Sequence, residues 1–147
     1  FFAAFPEVGD IEGDQEFMNS WERLLAVRGE ITKVLEAARR DKVIGLALDA
    51  EVLVQAEGET ADFLADRWPL LQEICIVSRL AHVDSFDDDL AASAVTAAEV
   101  PGLRIAVRPA PGTKCERCWT IASTVGRESD HPALCDRCAG VVRSLGA

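Results

Sequence analysis

The sequence predicts an α+β fold: a long N-terminal helix, a small β-α-β-β junction and a C-terminal knuckle built on four cysteines. Three observations predict it. Apolar residues recur at three- and four-residue spacing from Phe17 to Ala38, the period of one buried helix face. Leu103, Ile105 and Val107 alternate with Arg104, Ala106 and Arg108, the period of a half-buried strand. Two Cys-x-x-Cys pairs, Cys115/Cys118 and Cys135/Cys138, are separated by sixteen residues.

Residues 1–14 read as a loop anchored by Phe1, Phe2 and Phe5, because two glycines, a proline and acidic residues oppose regular structure. Residues 15–44 read as the long helix, with Phe17, Trp21, Leu24, Leu25, Arg28, Ile31, Val34, Leu35 and Ala38 on its buried stripe and Gly45 ending it. Arg28 has no acidic neighbour three or four residues away, so it either snorkels or pairs with an acid on another segment. Arg39, Arg40 and Lys42 complement the negative end of the helix dipole, or else face phosphate.

Residues 51–56 read as a strand and 57–59 as a turn. Thr60 is the expected N-cap of a helix over 61–72 that turns Phe63, Leu64, Trp68 and Leu71 inward, kinked or cut short by Pro69. Residues 74–83 read as a second strand, with Cys75 a small buried hydrophobe. Residues 84–102, with Asp87, Asp88 and Asp89 in a run, read as a solvated acidic loop with a short edge strand at 95–99. Residues 103–108 form the last strand and lead into the knuckle. Three domains follow: 1–50 helical, 51–109 a small α+β junction, and 110–147 the knuckle.

Two Cys-x-x-Cys turns facing each other place four thiolates around one ion, the closed tetrahedral geometry of structural zinc. The spacing matches the zinc pattern of about fifteen to twenty intervening residues. A redox Cys-x-x-Cys needs only one pair after a strand, and a disulfide framework needs an oxidising compartment. A closed site leaves no position for water or substrate, so the expected Zn²⁺ holds the fold and does no chemistry. Residues 110–147 are too few for a core of their own, and metal binding of roughly 10–16 kcal/mol supplies what burial cannot. His131 lies between the pairs as a substitute ligand, but four cysteines already complete the shell.

Composition narrows the function. A hydrophobic content of 49% is enough for a core, and no apolar run approaches the ~18 residues of a membrane span. Cysteine in metal spacing fits a reducing cytoplasm. The net charge of −10 argues against a general nucleic-acid binder. Its distribution says more: residues 1–102 carry −13 and residues 103–147 carry +3. Four thiolates with Zn²⁺ bring that tail to about +1, so it alone meets phosphate without strong repulsion. The sequence contains no glycine-rich phosphate loop and no nucleophile elbow, and neither His82 nor the aspartate run makes a catalytic set. The chain opens FFAAFPE, without methionine, as a piece of a longer protein would.

Lys114-Cys115-x-Arg117-Cys118-Trp119, then Val125-Gly126, then Leu134-Cys135-x-Arg137-Cys138, resembles the C-terminal zinc motif of bacterial isoleucyl-tRNA synthetases. The Trp21–Arg39 helix, the Lys42–Val52 junction after it and Ile76-Val77-Ser78 resemble the end of that family's anticodon-binding bundle and the next strand. Ala47 departs from the serine expected there, and residues 84–102 do not align. The resemblance implies the tRNA-facing part of a cytoplasmic class I ligase that activates isoleucine with ATP. The catalytic and editing domains lie elsewhere in the parent, so this chain alone is expected to be inactive. It also implies tRNA(Ile) as partner, with Lys114, Arg117, Arg127, Arg137 and Arg143 toward phosphates and Trp119 either stacked on a base or packed as a lid over the metal. The same cysteine arrangement resembles the finger of formamidopyrimidine-DNA glycosylases, but the proline nucleophile and glutamate that open those enzymes are replaced here by Phe1-Phe2. A zinc module for protein contacts is the remaining alternative.

Overall fold

The computed structural model describes residues 14–146; the expectation for the Phe1, Phe2 and Phe5 loop lies outside them, Asp14 apart. Helix α1 (Gln15–Arg40) begins where the Asp14 carboxylate accepts the N–H groups of Glu16 and Phe17. It ends earlier than Gly45. Lys42 takes a left-handed backbone (φ 59°), and the N–H groups of Lys42 and Val43 turn back to the carbonyls of Arg39 and Ala38. These two bonds satisfy the last carbonyls as a glycine cap would. The buried stripe is also rotated from the expected one. Leu24, Val27, Glu30, Ile31, Val34 and Leu35 are buried, whereas Phe17 and Leu25 are exposed.

Glu30 sits in that stripe because its carboxylate is fully engaged, accepting from Lys33 at 2.6 Å and from the Ala98 N–H at 3.0 Å. Among the described residues Arg28 finds no acid. Its Nε donates to the Ile74 carbonyl at 2.8 Å, at the C-terminal end of another helix. That helix end carries partial negative charge, so the guanidinium meets a backbone dipole in place of a carboxylate.

A four-stranded sheet packs against α1 in the order β2-β1-β4-β3. β1 (Ala50–Ala56) pairs parallel with β2 (Arg79–His82) and antiparallel with β4 (Leu103–Pro109), and β4 carries the short edge strand β3 (Val95–Thr96). Val52, Val54, Leu103 and Ile105 face α1 in the main core, while Leu53 and Ala106 face the other way and are covered by Leu90.

The β1–β2 crossover holds two helices, not one. α2 (Gly58–Leu64) stops before α3 (Trp68–Cys75), because Pro69 has no N–H to donate and sits without cost only in a first turn. Thr60 is no cap: it is buried inside α2 and donates to the Pro101 carbonyl at 2.7 Å. The expected strand over 74–83 shrinks to Arg79–His82, since Ile74 and Cys75 finish α3 and Ile76 takes a left-handed conformation at its end. Cys75 is buried, which pushes its thiol up to about 11. Within the acidic stretch, Asp87 caps α4 (Asp88–Ser93) by accepting the Leu90 N–H, so the carboxylates line a helix N-terminus where their charge is favourable.

Candidate metal centre

The knuckle begins as a hairpin. β5 (Thr113–Lys114) pairs with β6 (Ile121–Ala122), and the first cysteine turn lies between them. Gly112 allows this: its φ is 127°, and a Cβ there would stand 2.6 Å from the Ala122 backbone. The second pair flanks the start of α5 (Asp136–Ser144), with Cys135 at the N-cap position and Cys138 in the first turn. A turn and a helix start are both compact, so each delivers its two thiols to one point.

All four cysteine sulfurs lie within 4.8 Å of one another, and Cys118 and Cys135 stand 3.8 Å apart. A Zn–S bond of about 2.3 Å sets tetrahedral sulfurs about 3.8 Å apart, so the donor set fits that ion. Cys115, Cys135 and Cys138 are buried. His131 is outside this cluster.

Three of the thiols are pushed in different directions. Burial opposes the Cys115 thiolate, but the N–H groups of Cys118, Cys135 and Arg117 prevail and lower its pKa. Burial also resists ionisation of Cys118, yet the Thr120 hydroxyl and N–H and the adjacent thiols bring it down to about 6. Cys135 goes the other way, pushed up to about 12 chiefly by burial and further by the neighbouring sulfurs. Four negative sulfurs this close need a cation among them.

The arginines inside the two turns do not simply point to solvent. Arg117 donates from Nη1 to Cys138 Sγ at 3.8 Å. The neighbouring sulfurs, Cys118 first, favour the charged form of Arg137 and raise its pKa. Each turn thus offers a cation to a sulfur of the opposite turn, offsetting the −2 charge of a four-thiolate zinc. Arg143 reaches Glu128 and, at 3.1 Å, Asp130. Lys114 and Arg127 are exposed. Trp119 is no lid. It is 58% exposed, its backbone is left-handed (φ 66°), and Lys114 Nζ lies 5.5 Å from its ring centre. A bulky residue at positive φ is strained.

Ser78 was missed by sequence reasoning. Its buried hydroxyl donates to the Leu48 carbonyl and accepts the Ile121 N–H at 2.7 Å, tying the knuckle hairpin to the sheet domain's edge. A lone hydroxyl in the apolar run ICIVSRLAHV was the available signal.

Four cysteine sulfurs brought to one point beside the sheet form a closed donor set of the kind that holds a structural metal ion. Residues 112–140 match the family model described as the zinc finger found in FPG and IleRS. The likeness extends beyond the finger. Over 145 residues, 99% of this chain, it is 46% identical to the isoleucine–tRNA ligase of Desulfotalea psychrophila. It is 43% identical to that of Geobacter sulfurreducens over 96% of the chain, and 39% identical to that of Moorella thermoacetica over 97%. The chain spans about 15% of the length of these relatives and corresponds to a C-terminal piece of them. The resemblance to isoleucyl-tRNA synthetases therefore holds along nearly the whole chain. Among the described residues no helix is long and apolar enough to cross a membrane.

Proposed function

We propose that this chain is the tRNA-facing C-terminal part of an isoleucine–tRNA ligase, with one structural Zn²⁺ on Cys115, Cys118, Cys135 and Cys138. On this reading it docks the anticodon side of tRNA(Ile) in the cytoplasm, while ATP-dependent aminoacylation and editing belong to the rest of the parent enzyme. The three domains 1–50, 51–109 and 110–147 then serve as bundle end, junction and zinc knuckle.

The observation that carries the reading is Trp119, exposed on a left-handed backbone beside Lys114. An indole with a free face and an adjacent ammonium is a platform for an unstacked base and its phosphate. Arg127 adds an exposed cation to the same knuckle. Arg117, Arg137 and Arg143 serve phosphate only through the donors left over from their sulfur and carboxylate partners. The test is a titration of the zinc-loaded chain with tRNA(Ile), a non-cognate tRNA and duplex DNA at two salt concentrations. The reading expects preference for tRNA(Ile) and a loss of about 1–3 kcal/mol in Trp119→Ala. Equal or absent binding of all three would overturn it in favour of a protein-contact module.

A further inference from the structure

The sheet carries a second cationic feature, away from the metal. In the register of β1 with its two neighbours, Glu51 lies directly opposite Arg79 on β2 and Arg108 on β4. Directly opposed residues share a sheet face. Arg108 Nε donates to one Glu51 oxygen at 2.6 Å, while Arg79 Nε forms an ion pair at 3.1 Å with the other oxygen, which is buried and accepts no hydrogen bond. Glu51 is 1% exposed, whereas the two arginine side chains are 59% and 44% exposed.

We propose that Arg79 and Arg108 form an anion clamp for one phosphodiester of a bound RNA, with Glu51 as its anchor. Each arginine reaches the anchor through Nε, which leaves the Nη groups of both forks outside the ion pair. Two guanidiniums converging on one carboxylate leave a net charge of +1. An anion bridging their outer sides balances that charge and takes charge-assisted, fork-shaped hydrogen bonds. A phosphodiester is the anion that the proposed function brings to this chain, and its two free oxygens can each take one arginine fork. An RNA already anchored at the knuckle brings its phosphates close. The clamp adjoins that anchor through the chain, since Arg79 follows Ser78, whose hydroxyl holds the Ile121 N–H, and Ile121 pairs with Lys114.

The inference rests on the tRNA reading, and two measurements separate them. In the first, the wild-type chain and an Arg79→Gln/Arg108→Gln variant are titrated with tRNA(Ile) across a salt series. Loss of two phosphate-facing charges should make the log–log salt slope shallower by about 1.4–1.8 and weaken binding at low salt. An Arg79→Lys/Arg108→Lys variant should recover the slope but only part of the affinity. Binding by wild type with an unchanged slope in the glutamine variant overturns the clamp and spares the tRNA reading. In the second, inorganic phosphate is titrated into the wild-type chain while arginine Nε–H resonances are followed by NMR. Selective shifts at Arg79 and Arg108, ahead of Arg39 and Arg40, support the clamp even if tRNA fails to bind. Uniform shifts at all arginines overturn it. Far-ultraviolet dichroism at the titration temperature checks that the variants fold, since the glutamine pair leaves Glu51 buried without its partners and should lower the thermal midpoint.

Discussion

Replacing Ser78 with alanine removes one hydroxyl and breaks two bonds, one to the Leu48 carbonyl and one from the Ile121 N–H. Ser78 is buried, and Leu48 and Ile121 are half-buried, so water reaches the orphaned groups only in part. An unsatisfied buried donor costs about 1–3 kcal/mol, and a carbonyl with a second lone pair less. About 2 kcal/mol is therefore expected for Ser78→Ala, a fall in Tm of about 4–8 °C for a chain of this size. The origin of the loss can be checked by a cycle. With a chelator present the knuckle is unfolded and the Ile121 N–H is already in water, so the same substitution should cost only about 1 kcal/mol. Urea melts of both proteins, with and without zinc, measure all four corners. An equal cost in both conditions would refute the argument that Ser78 joins knuckle to sheet.

Three further outcomes follow from the same contacts. Cys115→Ser, or chelation, should abolish order across 110–146 while α1 stays helical, because roughly 10–16 kcal/mol of metal binding is lost from a segment without its own core; far-ultraviolet dichroism should fall modestly, and Trp119 emission should change while Trp21 keeps its environment. Glu30 has its pKa lowered chiefly by Lys33, against burial, with the Ala98 N–H assisting. Its stabilising effect is thus complete above about pH 4.5 and is lost as pH falls through the lower folded value, so Glu30→Gln should flatten the acid limb of a stability–pH profile and leave wild type and variant converging at low pH. Trp119→Ala should lower tRNA(Ile) affinity without lowering thermal stability, since the ring is 58% exposed and its loss relieves no core packing; a fall in Tm would return the ring to the lid role.

The parts of this molecule legible in the sequence are those where one local pattern decides. Cysteine spacing gave the cluster, and clean alternation gave β4. Where long-range contacts decide, local pattern misled. ICIV has the composition of a strand, but Arg28 meets the Ile74 carbonyl and the chain is helical there until Cys75. Thr60 stood at a plausible cap position, but the Pro101 carbonyl across the fold claims its hydroxyl. Glu30 was unreadable as a core residue because its partner, the Ala98 N–H, lies 68 residues away. Trp119 was open between core and surface because whether a large apolar ring is covered depends on the tertiary packing around it, which local pattern does not specify.

On the proposed tRNA reading, the disposition of the arginines bears on how an acidic protein meets an acidic polymer. With −13 on residues 1–102, general attraction is unavailable, and contact must come from cations placed one at a time. Most candidates are already committed: Arg117 and Arg137 to thiolates, Arg143 to Glu128 and Asp130. A committed guanidinium is also an oriented one, because holding one edge fixes where the remaining donors point and reduces the side-chain entropy lost on binding. The acids of this chain therefore do more than repel. Where one is buried beneath an arginine, as Glu51 is, it converts a flexible surface charge into a fixed one. Such a surface discriminates by position where a basic patch would attract any polyanion, and its binding should depend on salt only as steeply as the few charges that reach phosphate.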